Sequence, residues 1–505
     1  MAEVTVPASL QATIAARIDR LDPGAKRTLN GAAVIGSRFG PDLLTALGID
    51  PVLDELVKAE LIDRVRFTRH PEYVFHHPLI RAVAYEAQLK SDRAEMHRRV
   101  AAAIEEREPG SIDQNGALIA AHLEAAGDLR EAYAWHMRAG AWSANRDVVA
   151  ARLSWEGACR IADALPSDEP ERMAMRIAPR TMLCASAWHG VYPSAAGRFE
   201  ELQELCTLCD DKASLAVGMF GLACEHMIYG RVREASRRVS ACQALVESIG
   251  DPTVTVGLGA AGLPVKLETG SLDDVLLWSQ RVIELADGDP TKGNVIFGSP
   301  LAVALVARGV ARWWLGRDGW RDDVSTAVDL ARGTDPVTHA TIAAWKYGIA
   351  VGNGVLLADD TALRDVEEAL AVAEGSGDDF ALGLIKYMHG VVLVYRDFPA
   401  DRQRGVQLLS EVREMCANDR FMLSELPVLD FWAARERATQ GDLDGVLPVL
   451  RQAVEDVFDN GQLLYWAGAT RVLVEMLLTR GSESDVQEAA AAIDRLGTHL
   501  REKVS

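Results

Sequence analysis

The sequence predicts an all-α fold, a short N-terminal region with a small hairpin followed by a long run of helix pairs. Three observations carry that expectation. Ala, Leu, Arg and Glu dominate while aromatic residues make up only 6%, a composition that favours helix over sheet. A turn signature with Gly and an acidic residue recurs along most of the chain. At 505 residues the chain is too long for one hydrophobic core, so it divides into domains or extends as a repeat array.

The N-terminal elements read in order. Leu10 to Leu21, LQATIAARIDRL, places Leu10, Ile14, Ile18 and Leu21 on one helical face. Asp22-Pro23-Gly24 stops that helix, and Ala25 to Ile35 forms a second. Phe39 to Leu47 is a third, with Pro41 near its first turn, where a missing N–H costs nothing. Val52 to Ala59 is a fourth. Leu61–Phe67 and Glu72–Phe75 read as two short strands around a polar turn at Thr68–Pro71, and helix resumes at Pro78. Helices, a small hairpin and another helix make residues 1–107 a winged-helix-like domain.

From about residue 112 the chain reads as helix after helix. The turn signature appears as AAGDLREAYAW at Ala125, YGRVREASRRV at Tyr229, ETGSLDDVLLW at Glu268 and LGRDGWRDDVSTAV at Leu315. It returns as ADDTALRDVEEAL at Ala358, TQGDLDGVLPVL at Thr439 and TRGSESDVQEAA at Thr479. From Gly230 onward successive Gly or turn positions fall at intervals of roughly 38–46 residues, the gap from Ala358 to Thr439 spanning about two of them, the regime of helical repeats and longer than the tetratricopeptide unit of about 34. An antiparallel helix pair cannot bury its apolar face alone, and stacked neighbours make the core continuous. Residues 112–505 are therefore expected to form a right-handed α-solenoid of tetratricopeptide-like helix pairs, without long strands.

Charge narrows the function classes. The net charge of −20 lacks the basic footprint that nucleic-acid binding needs, and it repels anionic membranes. The N-terminus has no basic segment followed by an apolar one, so no secretory signal is read. The longest apolar run, Val295–Ala307, is interrupted by Gly298, Ser299 and Pro300 and closed by Arg308 and Arg312, too short to span a bilayer. A cytoplasmic protein whose seven cysteines stay reduced is expected.

Three segments carry a family resemblance: PASLQATIAARIDRLDPGAKRTLNGAAVIGSRFGPDLL, YVFHHPLIRAVAY and RAEMHRRVAAAIEE. Together they resemble the region after the nucleotide-binding core in signal-transducing NTPases with numerous domains. The chain is similar to large actinobacterial regulators that join a class III nucleotide cyclase domain, or a C-terminal LuxR-type helix-turn-helix, to an ATPase module and a tetratricopeptide-like tail. The resemblance rests on residues over 7–107 and on pattern alone over 112–505. No G-x-x-x-x-G-K-[ST] loop is present, and neither Lys26 nor Lys292 sits in one, so no P-loop can cradle phosphates. ATPase and cyclase activities are not carried over.

With no cyclase domain before residue 1 and no helix-turn-helix after Leu496, the expectation is the C-terminal half of such a regulator, stand-alone or the product of a split gene. Its expected role is non-catalytic: a regulatory or scaffold module that binds a protein or small effector through its helical-repeat surface. The alternative is a subunit of an ATP-binding regulator, working with a separately encoded nucleotide-binding chain docked on residues 1–107.

The resemblance implies that His77, in FHHPLIR beside His76, contacts a nucleotide phosphate held by that partner, with Arg81 one turn on adding charge. A plain helix cap for His77 and a solvated face for Arg81 are the alternatives. Arg93 and His97 share one helical face, and Arg64, Arg66, Arg69 and His70 add positive charge to the hairpin. The helix before it, VLDELVKA, is acidic and apolar, unlike a DNA-recognition helix. Cys206, Cys209, Cys224 and His226 can be drawn as a metal site, but their surroundings read as helix and buried thiols fit better. Trp313, Trp314, Trp320, Trp345, Tyr347 and Tyr387 line either a ligand groove or a repeat core. His189, His226, His339 and His389 read as interior histidines, and no catalytic triad, metal motif or cofactor site is found.

Overall fold

Pro23, Pro41 and Pro78 each open a helix, where the fixed φ of proline helps and its missing N–H is no loss. The computed structural model describes residues 8–66, 71–107, 110–144, 146–189 and 195–504. Its N-terminal helices are α1 (Ala8–Asp19), α2 (Pro23–Ile35), α3 (Pro41–Ala46), α4 (Leu53–Lys58), α5 (Pro78–Glu86) and α6 (Lys90–Arg107). Three strands, β1 (Arg38–Phe39), β2 (Ile62–Arg66) and β3 (Glu72–Phe75), form an antiparallel sheet of order β1-β3-β2. Arg38 stands opposite Val74, and Ile62 opposite Phe75. β1 corrects the expectation of helix from Phe39. That ring is buried beside Tyr73 and Phe75, with centroids 6.0 and 5.6 Å away, so the chain stays extended until Pro41. Of the expected hairpin turn, Thr68, Arg69 and His70 lie outside the described residues.

The chain divides into two compact units, residues 1–144 with 149–179, and residues 145–148 with 180–505. The division falls later than the change of sequence pattern at 107–112. The physical reason is packing: α6 lies against α2 and also against α7 (Gly116–Ala126), and α7 pairs with α8 (Leu129–Ser143). The α6–α7 contact holds a buried histidine pair. His97 Nδ1 and His122 Nδ1 are 2.8 Å apart, and His97 Nε2 is 2.8 Å from the Tyr85 hydroxyl. One ring must donate and the other accept, so the pair cannot hold two charged imidazoles. Burial holds both pKa values down, each to about 4, and nearby Arg81 adds to the depression.

After α9 (Val148–Ala164) and α10 (Arg172–Ala185), the second unit runs α11 (Ala195–Cys209), α12 (Lys212–Ile228), α13 (Val232–Ile249), α14 (Pro252–Glu268) and α15 (Leu272–Ala286). It continues with α16 (Pro300–Trp314), α17 (Trp320–Ala331), α18 (Pro336–Ala343), α19 (Ala350–Gly352), α20 (Asp360–Ser376) and α21 (Asp379–Val394). The last helices are α22 (Pro399–Ala417), α23 (Leu426–Thr439), α24 (Leu443–Asn460), α25 (Leu463–Arg480) and α26 (Glu483–Val504). Among the described residues, no strand follows residue 112, and no helix is long and apolar enough to cross a membrane.

The recurring Gly signature proves to be a helix stop. After α12, the Gly230 N–H bonds the Met227 carbonyl while the Arg231 N–H reaches back to His226. Gly270 and Ser271 repeat the pattern after α14, and Gly441 and Asp442 approach it after α23. This paired bonding needs a left-handed residue at the turn, and Gly230 has φ 75°. The short turn then forces the next helix back against the first, giving the pairs α12 with α13, α14 with α15 and α16 with α17.

Within a pair the two helices differ. α13 buries Val232, Ala235, Val239, Cys242 and Val246 on one stripe and exposes Arg233, Glu234 and Arg237. In α14 every residue from Thr255 to Glu268 except Pro264 is buried. First helices therefore lie inside and second helices outside. The unit also closes on itself: α14 packs against α25, and Arg233 donates to the carbonyls of Phe458 and Asp459 at 2.6 and 2.8 Å. A linear array contacts only its neighbours, so this closure brings helices far apart in sequence together around one interior.

Two consequences are measurable. Asp323 is 5% exposed and bonds both Arg308 (2.6 Å) and Arg312 (2.7 Å), tying α17 to α16. Asp323→Ala strands both guanidiniums, and removing one partner of a buried ion pair costs roughly 3–5 kcal/mol. Denaturant unfolding should show a loss near the lower figure, since Arg312 keeps some solvent contact. The second consequence is acid lability. The depressed folded pKa values of His97 and His122 mean that the unfolded chain binds more protons between about pH 4 and 6.5. Their contribution is complete above the unfolded pKa and is lost as pH falls, by up to about 1.4 kcal/mol per pH unit for each ring. The melting temperature should drop through that window, and His122→Gln should flatten the slope. A profile identical in the variant would refute the assignment.

Candidate functional site, a buried acidic and aromatic cavity

The inner helices of the second unit enclose a cavity of about 70 Å³, or some 820 Å³ of atom-free space when its open mouth is counted. α12 supplies Phe220 and Cys224, α14 supplies Glu268, α21 supplies Phe380 and Tyr387, and α25 supplies Tyr465. One wall depends on a local irregularity. After α18 the chain makes a π-helical turn, Ala344–Ile349, a form that widens a helix and recurs at functional sites. Ala344, Trp345 and Ile349 face the cavity from it. The turn lies hard against α21, since a Cβ on Gly348 would meet Met388 Sδ at 1.8 Å. It is anchored on its other side: the Tyr347 hydroxyl donates to Asp365 of α20, and Lys346 Nζ lies 3.5 Å from the same carboxylate.

Two carboxyl groups stand in this apolar wall. Glu268 ends α14 and is 4% exposed, while Glu425 lies in a 3₁₀ turn just before α23 and is 1% exposed. Glu268 interacts with the Gln462 side chain. Glu268 Oε2 and both carboxyl oxygens of Glu425 have no hydrogen-bond partner. No lysine, arginine or histidine is among the residues lining the cavity. Burial pushes both carboxyls up toward their neutral forms, and the Glu268 charge raises Glu425 further. Glu268 also sits at the negative end of the α14 dipole, which disfavours its ionisation. The hydroxyls of Tyr387 and Tyr465 are hydrogen-bonded to each other, and burial raises both.

The structure sorts the residues singled out by sequence. Trp345 and Tyr387 line the cavity. Tyr347 bonds Asp365 instead, Trp313 and Trp314 stack on each other at 5.1 Å, and Trp320 lies under Arg321 at 4.2 Å. Glu268 and Glu425 were missed. They are far apart in sequence, and the available signal was an acidic residue ending the largely apolar stretch TVTVGLGAAGLPVKLE, whose other charge is Lys266. Cys206 and Cys209 lie on α11, with Cys224 and His226 on α12, and the exposed Cys209 bonds its own helix at the Leu205 carbonyl. Burial raises the Cys206 thiol to about 12. Among the described residues no three His, Cys, Asp or Glu side chains converge as a metal ion requires. His389 is buried, with its pKa held down to about 4 chiefly by burial, and burial lowers His226 and His339 as well. The side chains of His189 and Arg66 lie outside the described residues.

In the first unit, His77 is exposed and caps α5, its Nδ1 accepting the Leu79 N–H at 3.2 Å. A neutral ring then carries its proton on Nε2. His76 pairs with Asp63 at 2.9 Å. Arg81 Nε donates to the Ala33 carbonyl at 3.0 Å, which ties its guanidinium to α2. Arg93 lies over the Tyr85 ring at 4.5 Å and pairs with Glu86, and His97 is absorbed in the buried pair with His122. Arg64 is exposed on β2.

No family model matches the chain. An uncharacterized protein of Rhizobium meliloti (strain 1021) is 28% identical over 132 residues, 25% of this chain and 13% of that protein, so the match spans far less than two thirds of the relative. Among solved structures, the chain is similar to a signal transduction ATPase with numerous domains that carries a tetratricopeptide repeat sensor, from Pyrococcus horikoshii. The identity is 12% and the TM-score 0.46, over 100% of this chain and 67% of that one.

Proposed function

We propose that this chain is a non-catalytic sensory module of a signalling or transcriptional regulator, one that binds a small effector inside its helix-pair unit. The observation that carries this reading is the cavity itself. Its wall draws on α12, α14, α21 and α25 and on the π-helical turn, from across the whole unit. A ligand held there touches several helix pairs at once, so occupancy acts on how the ring closes. Ligand pockets are commonly apolar cavities with a few polar groups that fix orientation, which fits a wall with two carboxyls and two tyrosines. In this reading the second unit is a right-handed, tetratricopeptide-like array and the protein is cytoplasmic. The β1-β3-β2 sheet with α2 and α5 beside it supports a winged-helix-like first domain. Effector screening by thermal shift should find small molecules that raise the melting temperature, because a ligand bound only to the folded state stabilises it by mass action. Purified chain should hydrolyse no ATP. Hydrolysis that persists on repurification and disappears with a point substitution in this chain would overturn the non-catalytic assignment.

The exposure of His77 favours a second element, a separately encoded nucleotide-binding chain docked on the first domain. With Nδ1 engaged by the Leu79 amide, Nε2–H is the ring's free-facing donor toward a phosphate. Hydrogen bonds to charged groups are worth roughly 1.5–3 kcal/mol. His77→Ala should therefore weaken nucleotide-dependent association about tenfold or more, with a cap loss of only about 1 kcal/mol in stability. A lower melting temperature with unchanged association would assign His77 to the cap alone.

A further inference from the structure

We infer that the effector of this cavity is a small organic cation, an amine with an apolar body, held by Glu268 and Glu425 within the aromatic wall. The inference rests on the sensory reading above and names the ligand class of the same site. Three observations point to it. The two carboxyls are 4% and 1% exposed and both form part of the cavity wall. Three of their four oxygens have no hydrogen-bond partner, although each buried acceptor left unmade costs free energy. The wall offers them no cation, its titratable groups being Glu268 on α14, Glu425 before α23, Tyr387 on α21, Tyr465 on α25 and Cys224 on α12.

A natural interior balances a buried carboxylate with a positive partner, and here that partner has to come from outside the wall. An ammonium group supplies it: up to three N–H donors and a full charge, facing acceptors that lack both. The remaining wall suits the rest of such a molecule. Trp188, Trp345, Phe220 and Phe380 line the same cavity, and aromatic faces attract cations while accepting apolar groups. An anion would meet two carboxyls with no compensating charge. A neutral alcohol would satisfy an oxygen but bring no charge to balance either carboxylate.

A matched set of probes tests the inference on the full chain: 2-phenylethylamine, 2-phenylethanol and phenylacetate, which share a ring and differ in charge. Binding is read by calorimetry and by the fluorescence of Trp188 and Trp345. The amine should bind at least tenfold more tightly than the alcohol, and phenylacetate should not bind. E268Q and E425Q keep the side-chain shape and remove the charge. Each should weaken the amine tenfold or more, leave the alcohol within about twofold, and raise the melting temperature of the empty protein. The amine should bind more tightly as pH rises from 6 to 8, because the carboxyls must ionise to hold it, while the alcohol shows no such trend. Equal binding of amine and alcohol, unchanged in both variants, would overturn the cation and leave the small-effector reading standing. Absence of binding by both amine and alcohol would count against the cavity as an effector site altogether.

Discussion

Closure of the second unit is the constraint on which the rest depends. A helix pair in an open array has one face toward solvent on each of its helices. Here α14 meets α25, and the backbone near Phe458 is bonded by Arg233, so α14 is walled in along nearly its whole length. That is why α14 is small and apolar nearly all round, with Gly257, Gly259 and Gly262 at its closest approaches. It is also why polar groups inside this ring are informative. Glu268 and Glu425 are 4% and 1% exposed, so they are retained against a desolvation cost of several kcal/mol per ion or are held neutral.

The π-helical turn belongs to the same logic. This inner segment presses Gly348 against α21 while aiming Trp345 at the cavity. The extra residue per turn rotates the two faces apart, and the Tyr347 and Lys346 contacts with Asp365 fix the widened turn from outside. The cavity is therefore a product of how the ring is built, with its shape set by one irregular segment and its charge by two helix-end residues.

How much of this was legible in the sequence follows from range. The Gly turns were readable because each is local: a left-handed residue and two backward hydrogen bonds encode the stop within six positions, as at His226 to Arg231. The helix pairs followed. β1 was not readable, since the extended run is only Arg38–Phe39 and its partner Tyr73 is distant in sequence. The division into compact units was not legible for the same reason, because pattern changes at residue 107 while α6 and α7 share the His97–His122 contact across that point. Among the aromatics, spacing alone could not separate Trp345, which faces the cavity, from Tyr347, which turns to Asp365.

Glu268 shows where a sharper reading was available. Helix-end acidic residues are ordinary when they face solvent, and the pair turn at Gly270 marks Glu268 as a residue of the turn's approach. The conflict is that Val265, Leu267 and Thr269 around it are buried too. A charged residue with buried neighbours on both sides has no solvent face, whichever way the helix is rotated. Closure then makes the conflict matter: in an open array the end of α14 would meet water, whereas in the ring it meets Gln462 at the start of α25. The chemistry of the site thus arises from topology acting on an unremarkable residue. For the same reason the burial of Glu268 is tied to ring closure, since any change that parts α14 from α25 hydrates the carboxyl.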